Sequence, residues 1–221
     1  MNNIQIKTGL FITFEGIDGC GKSTQSSLFA QSLIQNGYKV KIVRDPGSTT
    51  VSESIRHLLL DKSHTMMSPW TELLLYEAAR AQLVEESIKP ALNQGDIVIC
   101  DRFYDSTTAY QGFARNLDLD IITQANKIGS CGVNPNYTFY IDMKPQDALR
   151  RKKGNISHDR MESEGLEFQT NVRKGYLKIA KASPQRFIVI NGYGSIDDIQ
   201  NNIWNYIQDK KNIKGGPHEK R

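Results

Sequence analysis

The residues Gly16-Ile17-Asp18-Gly19-Cys20-Gly21-Lys22-Ser23-Thr24 follow directly on the apolar run Leu10–Glu15 and lead into a helical pattern over residues 23 to about 36, closed by Gly37. This is a complete G-x-x-x-x-G-K-S in the order strand, loop, helix. Its glycines let the backbone curl so that successive N–H groups point inward, and the positive end of the helix dipole adds to them. Such a cradle suits phosphate oxygens. Lys22 is placed to bridge the outer phosphates and the Ser23 hydroxyl to take one magnesium position, so the segment predicts a bound nucleoside triphosphate.

Four further apolar, β-branched or aromatic runs, at 39–44, 96–101, Tyr137–Asp142 and 187–190, alternate with helical stretches. That alternation predicts a five-stranded parallel sheet with helices on both faces. Near-continuous apolar strands agree with burial on both sides. Helix starts are marked at Ser68-Pro69, at Asp118 and at Ser195-x-x-Asp198, which resembles a capping box. With 38% hydrophobic residues and 17 glycines in 221 residues, the chain can build one compact domain, expected over 1–208. No apolar run approaches the roughly 20 residues a bilayer span needs. The first seven residues carry no apolar stretch behind a basic start, so the expected compartment is the cytoplasm. Three cysteines, Cys20, Cys100 and Cys131, fit packing better than disulfides or metal. The net charge of +4 is concentrated at the end, where residues 209–221 hold five Lys/Arg against two Asp/Glu. That segment is expected to be a disordered tail, and no nucleic-acid partner is expected.

Ligands bind open α/β sheets at the carboxyl ends of the strands. There the second strand ends in Arg44-Asp45-Pro46-Gly47-Ser48-Thr49 and the third in Asp101-Arg102-Phe103, with Arg56 one helix further on. Each arginine suits a phosphate, or a structural ion pair with a neighbouring Asp. Tyr76 and Arg80, four apart, share a helix face. They could stack on and hydrogen-bond a base, or be a core tyrosine beside a solvent-facing arginine. The run Arg150 to Arg160 has five cations in eleven residues. It is either a solvated face or a lid that closes over the transferring phosphoryl. Asn126-Lys127-Ile128-Gly129 lacks the Asp that a guanine-reading Asn-Lys-x-Asp requires, which argues against a GTP switch. His57, His64, His158 and His218 show no clustering, so neither a metal site nor a histidine base is expected.

Together with Ala78-Ala79-Arg80-Ala81-Gln82 and Asp105-Ser106-Thr107-Thr108-Ala109-Tyr110-Gln111-Gly112, these segments resemble the thymidylate kinase family over nearly the whole chain. The resemblance implies a P-loop NTPase fold with a short lid, and transfer of the γ-phosphoryl of ATP to dTMP with Mg²⁺ in a homodimer. It implies Lys22, Asp18 and Arg102 at the reacting phosphates, and Gly16 to Thr24 around ATP with Arg151 against adenine. Asp18 is also implied near the deoxyribose 3′-hydroxyl. Arg56 and Arg102 are implied on the dTMP phosphate, Tyr76 and Arg80 on thymine, and Thr107 and Gln111 beside it. Arg44, Pro46 and Ser106 would belong to the same site, Tyr110 would crowd the 2′ side of the sugar, and Ser23 and Asp101 would serve the metal. Three departures stand out: Tyr76 replaces the usual Phe, Asp45 and Ser48 replace Glu and Gly, and Gly19 stands where some members keep a catalytic arginine. The lid would then supply that cation, with Arg160 first and Lys153 and Arg151 as rivals. The remaining readings are a P-loop switch protein or a kinase for another monophosphate.

Overall fold

The computed structural model describes residues 9–152 and 159–211, with side chains to residue 208. Lys153, most of the expected lid and the tail beyond residue 211 lie outside the described residues. The elements run β1 (Leu10–Glu15), α1 (Lys22–Gln35), β2 (Val40–Arg44), α2 (Thr50–Leu60) and α3 (Pro69–Leu83), which continues through a wide turn, Val84–Ile88, into α4 (Lys89–Asn93). Then follow β3 (Ile97–Asp101), α5 (Tyr104–Thr107) with wide turns over Thr108–Ala114, α6 (Leu119–Gly129), β4 (Tyr137–Asp142), α7 (Pro145–Lys152), α8 (Leu166–Ala182), β5 (Phe187–Asn191) and α9 (Ile196–Lys211). The five strands are all parallel, in the order β2-β3-β1-β4-β5. The P-loop strand is therefore central, and the third strand lies between it and β2, bringing the ends of all three to one edge.

The side-chain period of a strand sorts β1 to two cores. Ile12 and Phe14 join Phe29, Leu33, Phe139 and Trp204 on one side, where the Phe29 and Trp204 rings lie 5.0 Å apart. Phe11 joins Val98, Cys100, Leu83 and Ile88 on the other. Removing a ring such as Phe29 would cost about 3–5 kcal/mol. Burial on both faces holds for β1 throughout and for nearly all of β3 and β4. It does not extend to the edge strands. Lys41, Ile42 and Arg44 of the edge strand β2 are exposed.

The expected caps are formed. Ser68 Oγ accepts from Thr71 N with Pro69 at the first helical position, and Asp118 Oδ1 accepts from Asp120 N at 2.8 Å. Ser195 and Asp198 bond reciprocally, at 3.1 Å in each backbone contact. One boundary shifts: Arg150, Arg151 and Lys152 form the last turn of α7 rather than part of a loop.

Candidate active site

Gly19 has φ +86, and a Cβ there would lie 2.3 Å from the carbonyl oxygen of Ala148. The position accepts no side chain, because α7 packs directly over the loop. Ile17 and Cys20 are buried in the core, so they offer the loop only their backbone; burial also pushes the Cys20 thiol up. Lys22 Nζ donates to Asp18 Oδ1 at 3.0 Å, and the same oxygen accepts from Arg102 Nη2 at 2.8 Å. Burial alone would raise the Asp18 carboxyl, but Lys22 and Arg102 hold it well below the usual range. Asp18 is thus a fixed anion between two cations.

Ser23 Oγ donates to Asp101 Oδ2, while the buried Asp101 Oδ1 has no hydrogen-bond partner among the described residues. A hydroxyl beside a carboxylate with one uncommitted oxygen suits a hard cation. No group of three His, Cys, Asp or Glu able to hold a metal occurs among the described residues. The pair therefore fits magnesium completed by water and phosphate oxygens, the usual mode in phosphoryl transfer.

Beside the loop opens a cavity that is partly open to solvent. Asp18, Pro46, Arg56, Tyr76, Arg80, Arg102, Ser106, Thr107, Tyr110 and Gln111 all line it, gathered from the segments after β1, β2 and β3, from α2, α3 and α5, and from the wide turns over Thr108–Ala114. Arg102 adopts φ +68, a backbone conformation an L residue enters at a cost of roughly 1–2 kcal/mol. It is fixed by Asp18, by Ser106 Oγ and Tyr176 Oη, each 3.2 Å from Nη1, and by the Tyr110 ring 5.2 Å below its guanidinium. Arg56 Nη1 donates to Pro46 O at 3.0 Å, which holds it at the rim.

Arg80 is 1% exposed, so the picture of a core tyrosine beside a solvent-facing arginine is reversed: the arginine is buried and the half-buried Tyr76 lines the cavity. Its guanidinium donates to Asp45 at 2.6 Å, Glu77 at 2.5 Å, Asn126 at 3.3 Å and Thr107 at 2.7 Å. Four of its five N–H groups are spent in this way, which leaves one for a ligand. Asn126 is consumed here and by Thr108, so it has no part in reading a base.

Arg44, Arg151 and Arg160 are not among the residues lining this cavity. Arg44 is half-exposed and forks onto Glu53 with both bonds at 2.8 Å. The turn beyond it takes Ser48 to φ +68, where glycine would be at ease, and Ser48 Oγ accepts from Arg44 N at 2.8 Å. Arg151 is exposed and donates to Gly192 O at 3.1 Å. Arg160, the first choice for a lid cation, has Nε donating to Leu59 O at 2.8 Å and Nη2 paired with Glu72 at 2.7 Å. Lys152 of the same run pairs with Glu162.

Several site residues were missed. Asp159 and Met161 close the cavity from the chain leading into α8. Glu72 accepts from the cavity-lining Gln111 and was legible in principle, being four residues before Tyr76 on the same face of α3. Glu15 was not: its Oε2 accepts from Ser106 Oγ at 2.6 Å and from Tyr176 Oη at 2.8 Å, and its Oε1 from Phe103 N at 2.8 Å. Burial raises its carboxyl to about 7 despite Arg102 nearby.

A P-loop on the central strand of this parallel sheet, joined through Asp18 and Arg102 to an arginine-lined cavity, defines a P-loop kinase. The family model described as thymidylate kinase matches residues 14–203. The thymidylate kinase of Thermoanaerobacter sp. is 45% identical over 195 residues, covering 88% of this chain and 95% of the relative. That of Caldanaerobacter subterraneus is 49% identical over 184 residues, covering 83% and 88%. The crystal structure of thymidylate kinase from Ehrlichia chaffeensis superposes with a TM-score of 0.73 at 38% identity, covering 91% of this chain and 99% of that one. The chain belongs to the thymidylate kinase family.

Proposed function

We propose that this chain transfers the γ-phosphoryl of ATP to dTMP, giving dTDP. The observation that carries this reading is the line Lys22, Asp18, Arg102, which couples the phosphate loop to the cavity within two hydrogen bonds. Phosphoryl transfer needs two phosphates held in line, their charge neutralised and water excluded. Lys22 and the loop N–H groups take the ATP phosphates, and Arg102 and Arg56 take the dTMP phosphate. Tyr76 stacks on thymine, the free N–H of Arg80 meets its carbonyl, Thr107 and Gln111 flank it, and Tyr110 closes the 2′ side. Pro46 holds Arg56 and Ser106 holds Arg102. Since the acceptor is already an anionic oxygen, no strong base is required. With Arg160 paired to Glu72, charge in the transition state is neutralised by Lys22 and Arg102.

Ser23 and Asp101 would hold magnesium, whose chemistry is to withdraw charge from the phosphate oxygens it binds. We assign the protein to the cytoplasm, where the free thiols Cys20, Cys100 and Cys131 are kept reduced. Among the described residues no helix is long and apolar enough to cross a membrane. A homodimer is supported by exposed apolar residues on adjacent helices: Val51 and Leu58 of α2, Trp70 and Leu74 of α3, Ile121 and Ile128 of α6.

The test is a panel of nucleoside monophosphates with ATP and Mg²⁺, read as ADP release. dTMP should lead, with dUMP lower by roughly 10 to 200-fold, the range a methyl-sized group supplies. Equal rates across the panel, or none above the ATP-only background with dTMP, would overturn the assignment.

A further inference from the structure

Gln111 is 1% exposed and lines the cavity, and its Nε2 donates to Glu72 Oε1 at 2.8 Å. A side-chain amide presents a donor at one end and an acceptor at the other, and which end faces a ligand is decided by what holds the opposite one. Here the holder is an acid. Glu72 is itself 1% exposed; it accepts from Arg115 Nε and Nη2, both at 3.1 Å, and forms an ion pair with Arg160 Nη2 at 2.7 Å. Burial would raise its carboxyl, but the hydrogen bonds from Arg115 and Gln111 and the charge of Arg160 keep it below its ordinary range, so it is ionised. An ionised carboxylate accepts only. It can hold Nε2 and not Oε1, and no described residue donates to Oε1.

We propose that Glu72 is a positioning residue for base selection: it locks the Gln111 amide with Oε1 toward the acceptor base, so that the site requires a ring N–H. Thymine and uracil, joined to the sugar at N1, retain one ring N–H, at N3. Cytosine carries a lone pair at N3, and would set two acceptors against each other in a buried site. The same carboxylate anchors Arg160, next to the cavity-lining Asp159 and Met161, so the amide and that wall are fixed from one point. This inference rests on the reading of the cavity as a nucleotide acceptor site.

The experiment compares kcat/KM for dTMP and dCMP in wild type, Glu72→Gln, Gln111→Met, the double variant and Arg160→Gln. In Glu72→Gln the new side chain can donate to Oε1, the Gln111 amide is free to turn over, and the dTMP:dCMP ratio should fall about 10-fold or more. Gln111→Met should lower the ratio similarly, and adding Glu72→Gln to it should change the ratio no further. Arg160→Gln should alter KM for both substrates and leave the ratio within about two-fold, since it does not touch the amide. A ratio unchanged in Glu72→Gln overturns the inference. If that variant does not fold, an unchanged ratio in Gln111→Met overturns it as well. Absence of dTMP turnover in wild type would instead overturn the acceptor-site reading itself.

Discussion

Arg102 Nη2 and Lys22 Nζ donate to one and the same oxygen of Asp18, at 2.8 and 3.0 Å. Arg102 reaches that contact from a left-handed backbone, a cost the fold bears at a functional site rather than in its scaffold. The cation on the acceptor side is therefore placed by the loop that holds the donor. Arg102→Lys retains the charge but loses the planar fork that spans Asp18, Ser106 and a phosphate. Its turnover should fall by about 10²-fold or more while the thermal midpoint moves little, measured by steady-state kinetics beside calorimetry. Turnover within a few-fold of wild type would remove Arg102 from the reacting phosphates.

Arg160→Ala tests the reassignment of the lid cation. Its guanidinium is spent on Glu72 and Leu59 O, so its removal should cost about 1–3 kcal/mol of stability, in the range of a lost buried charged contact. Glu72 keeps Arg115, which limits the loss. Turnover should stay within a few-fold while KM for dTMP rises as the wall formed by Asp159 and Met161 loosens. If kcat instead drops about a thousand-fold with KM unchanged, Arg160 belongs in the transition state after all.

Glu15 gives the fold a pH dependence of definite sign. Its carboxyl is raised from 4.5 to about 7 by burial, so the native state binds this proton more tightly than the unfolded chain does. The stabilisation from that proton is complete below about 4.5 and is lost as pH rises through about 7, a contribution on the order of 3 kcal/mol. Urea melts of wild type at pH 5, 6, 7 and 8 should show the decline, and Glu15→Gln, neutral throughout, should show a flatter curve. Parallel curves would mean that Glu15 is ionised across that range.

What the sequence made legible was what depends on neighbours in the chain. The P-loop, the five strands and the caps at Ser68, Asp118 and Ser195 each rest on residues within a few positions of one another. Arg80 is the contrary case. Its spacing from Tyr76 was visible, but its burial depends on Asp45, 35 residues away, and Thr107, 27 away, which supply the acceptors a buried guanidinium requires. Glu15 and Tyr176, 161 residues apart, meet only because β1 and α8 border the same core. A charge run such as Arg150 to Arg160 says nothing of which cation finds a carboxylate. Arg160 found Glu72 on α3, and Arg150 found Asp147 one turn back on its own helix.

The helix that carries the base site also carries the apolar face. On α3, Glu72, Tyr76 and Arg80 line one side, while Trp70 and Leu74 project from the other, 46% and 66% exposed. At 100° per residue, positions 72 and 74 lie about 200° apart, so α3 stands between the cavity and whatever covers Leu74. Ile128 on α6, 74% exposed, and Leu58 on α2, 48% exposed, extend the same surface. Leu74→Asp should break a homodimer built there, because a carboxylate cannot be buried against an apolar partner without several kcal/mol of desolvation. Sedimentation equilibrium should then move from about twice the chain mass of 25.0 kDa to that mass itself. Because α3 would lose its outer support, KM for dTMP should rise more than KM for ATP. A variant that keeps the wild-type mass would show that the subunits meet elsewhere, and a wild type that sediments at 25.0 kDa would show that they do not meet.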